Sequence, residues 1–340
     1  MICVTGGSGF LGSALVKRLV HDGESVRVLD LAPPASEIRS RVAFIKGNVR
    51  DRGVVEQALK GCRMVYHAAG ILPLSRDKKD FYEVNVQGTR QILESAKKNG
   101  LKKVIYYSSG HAVYGLRARM PIKETDPQKP FSYYGKSKYA AEELCRAFRE
   151  QGLNVSIVRP ATVVGPGRLG TFKLLFDWIR AGKNVYLIGN GRNRVQYVSL
   201  DDLVEASLSL RRHGDFSDYN IGTDRFSSFG ELIAGLVKQA GSRSKIVFVP
   251  TALAQLGLGL LDLLRLSPFV SLHYRTFHLD TYYDVTKAKT ELGWQPKHSN
   301  EEMFKSAYDW YIREGQMKEG GSIHQRGARK GIFKLLDYLP

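Results

Sequence analysis

The sequence predicts an α/β protein, a doubly wound parallel sheet followed by a smaller C-terminal α/β lobe. Three observations predict it. Short β-branched runs alternate with helically spaced segments through the first half, a glycine-rich turn joins the first run to the first helix, and the alternation weakens after Gly165. With 340 residues, 43% of them apolar and 25% charged, the chain is long enough for one large domain or two closely joined ones.

Taken in order, Ile2–Thr5, Ser25–Asp30, Val42–Val49, Met64–Ala69, Lys103–Ser109 and Val155–Val164 read as buried parallel strands. Between them, Leu11, Leu15 and Leu19, and then Val84, Ile92, Leu93 and Ala96, carry helical spacing. Beyond Gly165 the pattern gives a helix (Phe172–Ala181), strands at Val185–Ile188 and Val195–Leu200, a helix opening at Asp201–Asp202, and a short strand at Tyr219–Gly222. Helices follow near Ser227–Gln239, Thr251–Leu266, Asp284–Leu292 and Asn300–Arg313, with Asp284 as N-cap and Gly293 as C-terminal stop of the third. The expected organisation is a first domain over 1–165 that the chain rejoins at 195–222, a substrate lobe over 166–317, and a basic tail over 318–340.

Fifty-one basic against 33 acidic residues give a formal charge of +18, which suits an anionic partner or simply a solvated basic surface. No Lys/Arg block interleaved with aromatics points to nucleic acid. Eight histidines and three scattered cysteines show no metal-ligand spacing, and no GxSxG elbow follows a strand. Cys3, Cys62 and Cys145 fit reduced, buried thiols, and no leader precedes the strand at Ile2, so the expectation is a cytoplasmic protein.

Gly6, Gly9 and Gly12 have GxxGxxG spacing directly after a strand, at the opening of a helix. One glycine permits the tight turn, one lets the backbone reach a pyrophosphate, and one lets helix and sheet pack closely. The helix N-terminus at Phe10 and Leu11 then offers unpaired N–H groups to the phosphates. Asp30, ending the second strand, is placed to accept from both adenosine ribose hydroxyls and would repel a 2′-phosphate, which favours NAD over NADP. The first half is therefore Rossmann-type.

Tyr134 and Lys138 are four apart at the start of a helical stretch running to about Glu150, so phenol and ammonium share one face. Tyr133 has Ser137 at that spacing and lacks a cationic partner. A tyrosine is a poor base at neutral pH, and a neighbouring lysine would lower its pKa toward the working range.

Together these residues resemble the extended short-chain dehydrogenase/reductase superfamily, the NAD-dependent epimerase/dehydratase family, from Ile2 to about Arg313. Thr5–Gly12 resembles its phosphate loop, and Gly47–Asp51 its GDxRD segment, with Asn48 in place of the usual Asp. His67-Ala68-Ala69 resembles its HxAA segment, Asn85–Thr89 its NVxGT segment, Arg159-Pro160 its RP step, and Asp284–Trp294 a late signature. The resemblance implies cofactor contacts at Asn48, Val49, Ala68, Ala69, Asn85 and Pro160, beside Tyr134 and Lys138 as the catalytic pair. It also implies a homodimer built on a helix bundle that includes the YxxxK helix.

Two departures bear on function. Gly110 stands where the family places a Ser or Thr that hydrogen-bonds the reacting oxygen, so Ser109 or His111 must substitute, and Ser109 is the candidate. Arg192 and Arg194 lie near the place where sugar-nucleotide relatives clamp a diphosphate, while Arg275–His278 lacks the later clamp pattern. Leu253, Leu256, Leu260, Leu263 and Leu264 form an apolar stripe, read as core packing in preference to a lipid-facing wall. A nucleotide sugar is the leading expected substrate, a sterol-like or lipid-linked alcohol the alternative, and a non-catalytic NAD sensor the reading from another class. The tail over 318–340 is either a loosely held extension or a basic anchor, which leaves peripheral membrane association open.

Overall fold

The computed structural model describes residues 1–72, 78–116, 119–170, 172–264 and 271–314. Its centre is a seven-stranded, all-parallel sheet built from β1 (Ile2–Thr5), β2 (Val26–Asp30), β3 (Ala43–Lys46), β4 (Met64–His67), β5 (Lys103–Tyr107), β6 (Val155–Pro160) and β10 (Asp218–Ile221). The strand order is β10-β6-β5-β4-β1-β2-β3, so it reverses between β1 and β4.

Alternation along the strands feeds two cores. Ile2 and Val4, Met64 and Tyr66, and Ile105 and Tyr107 point to one face, where they meet Leu15, Leu19, Leu203 and Leu210. Cys3, Val65, Val104 and Tyr106 point to the other, against Ile92, Leu93, Ala141 and Cys145. Helices thus cover both faces, as continuous apolar strands require. All three cysteines are buried and free.

The expected strand Val155–Val164 is two strands. Pro160 brings no N–H to a ladder, and after it the chain leaves the main sheet. β7 (Thr162–Val164) then pairs with β9 (Tyr197–Ser199), the observed core of the expected Val195–Leu200 strand. The chain does rejoin the main sheet within 195–222, through β10 alone. β8 (Val185–Ile188) pairs with β11 (Ile246–Val249), a strand that the sequence reading missed.

A third core joins the helices Phe172–Ala181, Phe229–Gln239 and Asn300–Arg313 through Phe176, Leu232, Leu236, Phe304 and Tyr308. The last two of these helices open with complete capping boxes, Ser228 with Glu231 and Ser299 with Glu302. Gly293 ends the Thr286–Leu292 helix in the left-handed conformation, but the N-cap is Val285, not Asp284. The Asp284 carboxylate instead accepts from the Thr286 N–H at 2.9 Å.

The leucine stripe overturns its expected role. The Thr251–Leu263 helix has no buried residue, and Leu253, Leu256, Leu260, Leu263 and Leu264 are 57–79% exposed. Core packing is excluded for this stripe. The tail over 318–340 lies outside the described residues.

Candidate active site

A cavity of about 1430 Å³ opens at the carboxyl ends of β1, β2, β4 and β5 and extends between the two halves of the chain. This is where reversal of strand order splays the loops of a doubly wound sheet apart. Gly6, Gly9, Phe10, Leu11, Gly12, Asp30, Asn48, Val49, Ala68, Ala69, Ser109, Tyr134, Lys138 and Pro160 all line it. Asn85, Arg192 and Arg194 do not.

Two glycines are fixed by sterics. Gly6 has φ +68°, and a Cβ there would stand 2.7 Å from the Ala69 amide nitrogen. A Cβ on Gly12 would overlap the Gly6 carbonyl oxygen. No side chain caps the Phe10–His21 helix, so its first N–H groups remain open toward the cavity. Asp30 also organises the loop, because its carboxylate accepts from the Ser8 N–H at 2.9 Å and the Ala32 N–H at 3.1 Å. Bare backbone, an uncapped helix end and a carboxylate at the strand terminus fit a dinucleotide.

Asn85 lies beneath the cavity in a π-helical stretch, Phe81–Gln87, that period-3.6 spacing does not reveal. Its amide oxygen accepts from the Ile71 N–H at 2.9 Å, and its Nδ2 donates to Ser137 Oγ at 3.0 Å. A polar relay continues inward. Thr89 Oγ1 donates to the Asn85 carbonyl, so His67 Nε2 must donate to Thr89, and His67 Nδ1 accepts from Thr5 Oγ1 at 2.7 Å. Burial holds His67 neutral by pushing its pKa down to about 3.

The Tyr133–Glu150 helix begins at Ser132, whose hydroxyl accepts from the Gly135 N–H at 3.0 Å. The tight start orients Tyr134 and Lys138, both buried, toward the cavity. Lys138 Nζ donates to the Tyr107 carbonyl at 2.6 Å, and burial lowers its pKa to about 8. Tyr134 departs from expectation. Burial raises its pKa, and the groups pulling it back are the Ser109 hydroxyl and the Arg168 charge, not Lys138. The phenol is therefore protonated at neutral pH.

Arg168 was not anticipated. It lines the cavity, stacks at 5.5 Å over the Phe10 ring, and has no carboxylate partner among the described residues. The available signal was its place in Gly165-Pro166-Gly167-Arg168, a turn directly after a strand end. By contrast, Arg192 and Arg194 are exposed outside the cavity. Arg194 stacks between Phe226 at 4.9 Å and Tyr282 at 5.0 Å.

The glycine at 110 has a steric cause. A Cβ there would stand 2.8 Å from Cζ of the buried Tyr283 ring. Ser109 faces Tyr134, whereas His111 Nε2 pairs with Thr276 Oγ1 at 3.0 Å and stays neutral, its pKa pushed by burial to about 4. Beyond Pro160 the cavity wall is mainly apolar, with Leu174, Trp178, Phe229, Leu258 and Phe277, and Arg168 is its only formally charged residue among those described.

The NAD-dependent epimerase/dehydratase family model matches residues 2–222. An uncharacterised protein, y4nG, of Sinorhizobium fredii is 38% identical over 98% of this chain and 85% of its own length. The mouse (Mus musculus) decarboxylating sterol-4-alpha-carboxylate 3-dehydrogenase is 28% identical over 86% of each chain. The crystal structure of UDP-glucose 4-epimerase from Thermotoga maritima with UDP-glucose superposes with a TM-score of 0.77 at 30% identity, covering 92% of this chain and 98% of that one.

Proposed function

Because the chain belongs to the NAD-dependent epimerase/dehydratase family, an enzyme family of the extended short-chain dehydrogenase/reductase type whose cofactor is NAD, we propose that it oxidises a secondary alcohol bearing a large apolar body, or reduces the matching ketone. The observation carrying this reading is the wall beyond Pro160, which is mainly apolar and holds Arg168 as its one formally charged residue among those described, with Arg192 and Arg194 outside it. The expected preference for a nucleotide sugar rested on the positive charge and on those two arginines; with the arginines outside the cavity it becomes the second reading.

NAD, when bound, supplies the hydride acceptor or donor. Tyr134 exchanges the proton of the reacting oxygen: as the phenol it donates its own as a ketone becomes an alcohol, and as the phenolate it takes one in the reverse direction, so alcohol oxidation should quicken as pH rises. Its raised pKa suits the donating role. Ser109 hydrogen-bonds the same oxygen, and Lys138, anchored on the Tyr107 carbonyl, fixes the cationic edge of the site. Gly6, Gly9, Gly12 and the helix start hold the pyrophosphate, and Asp30 the adenosine ribose. Asn85 positions the 70–71 loop and the Lys138 helix without lining the cavity. The substrate lobe is drawn from the chain after Gly165, apart from its return to the main sheet through β10, and it walls the apolar side.

A nucleotide sugar remains the second reading, favoured by Arg168 as a cation awaiting an anion. Reduced-nicotinamide absorbance, followed with a panel of hydrophobic secondary alcohols and of UDP- and dTDP-sugars, separates the two. Net cofactor reduction with the lipophilic panel, lost in Tyr134→Phe, is expected. Interconversion of sugars without net reduction would replace it with epimerisation. Turnover of Ser109→Ala within about twofold of wild type would remove Ser109 from the mechanism.

A further inference from the structure

The Thr251–Leu263 helix has two apolar faces with different neighbours. Leu253, Ala254, Gly257, Leu258 and Leu261 line the cavity. Leu256, Leu260, Leu263 and Leu264 form a neighbouring face, about a quarter-turn round the helix, and are exposed, as is Leu253 at the join of the two. Phe248, 48% exposed, lies on the strand that leads into the helix. A stripe of adjacent exposed leucines is far more apolar surface than a solvated helix carries by chance.

Charge identifies the occupant. Exposed Arg243 and Lys245 flank the strand that carries Phe248, exposed Arg192 follows the glycine that the Phe248 ring covers, and exposed Arg275 lies on the helix packed against the leucine helix. Arg265 follows Leu264 directly in sequence. Two acids, Asp262, which accepts from the Tyr274 hydroxyl at 3.4 Å, and Asp280, which accepts from the Arg194 N–H at 2.7 Å, stand against these four exposed cations, so the rim is net basic. A second copy docked here would set basic rim against basic rim in a chain already at +18. An anionic lipid surface complements both features at once, with leucines entering the acyl boundary and the basic rim meeting headgroups. The helix, at 13 residues, is too short to cross a bilayer.

We propose that the outer face of the Thr251–Leu263 helix docks the protein on an anionic lipid bilayer, which brings the roof of the cavity against the membrane. The docking holds whichever alcohol the site accepts, because binding is read without turnover. The test is flotation of the full chain with phosphatidylcholine vesicles, with and without phosphatidylglycerol. The comparison variant is Leu256→Glu/Leu260→Glu/Leu263→Glu, and Leu256→Ser/Leu260→Ser serves if the charged variant misfolds. None of these side chains lines the cavity, so NAD affinity reports on the fold. Expected is flotation with the phosphatidylglycerol vesicles, reduced by about tenfold or more in either variant while NAD affinity stays within about twofold. Three results would overturn the proposal: no flotation of the wild type, equal flotation of the variants, or a wild-type dimer that the variants convert to monomer without any vesicle binding.

Discussion

Replacing Lys138 with methionine separates what this residue does for chemistry from what it costs the fold. The residue is 6% exposed, and burial lowers its pKa to about 8 from an ordinary 10.5. At 1.36 kcal/mol per pH unit, keeping it charged below pH 8 costs about 3 kcal/mol. Methionine removes that cost and also the bond to the Tyr107 carbonyl, which stabilises by about 1.5–3 kcal/mol. Lys138→Met is thus expected to be neutral or slightly stabilising at pH 7, where truncating a buried side chain ordinarily costs about 2–5 kcal/mol. The pH dependence isolates the group. Below pH 8 Lys138 is protonated in both states and the cost is fully present. Between pH 8 and 10.5 the folded state releases its proton first, so stability rises. From about pH 7.5 to 9.5 the wild type should gain about 2 kcal/mol relative to the variant in urea unfolding of the nucleotide-free protein. Parallel stability–pH curves for the two proteins would refute the buried-cation reasoning.

Three further outcomes follow from described contacts. Tyr134→Phe should lower kcat by about 10²–10⁴ while NAD affinity, read by calorimetry, is unchanged. Arg159→Met should cost about 3 kcal/mol in chemical denaturation, because it removes the fully buried cation from Glu142, contacted at 2.8 Å, and from Asp218, leaving Glu142 to Arg146 and Gln128. Neutral His67 stabilises the fold fully above pH 6.5, and that stability is lost as pH falls toward 3; the loss, about 5 kcal/mol in all, should shrink in His67→Gln when acid unfolding is followed by circular dichroism.

Local rules picked out in the sequence the glycine turn, Asp30 and the Tyr134–Lys138 pair, all of which line the cavity, because each depends on spacing within one turn or one strand–helix joint. The sheet was legible for the same reason, since strands buried on both faces are apolar at most positions, with polar residues only at their ends. What escaped depends on long-range contact. The break after Pro160 is settled by β9, more than thirty residues later, and Arg168 enters the site only because the turn at Gly167 folds back over Phe10. The leucine stripe shows the limit of periodicity, since helical spacing marks an apolar face without saying what covers it. Arg192 and Arg194 failed the other way. Their place near a strand resembled a clamp, yet the Arg194 side chain turns to two aromatic rings outside the cavity.

The contact between position 110 and the Tyr283 ring ties together two sites far apart in the chain. Restoring a hydroxyl with Gly110→Ser would press a Cβ into a ring that is 3% exposed and packed beside Tyr114, whereas shrinking Tyr283 alone would leave a void. Either step taken singly is expected to destabilise the fold, so the two positions should behave as an epistatic pair, with the double change milder than the sum of the single ones. Relatives that carry Ser or Thr at the place of Gly110 should therefore hold a smaller side chain where Tyr283 stands, and the identity at one position becomes a historical record of the other.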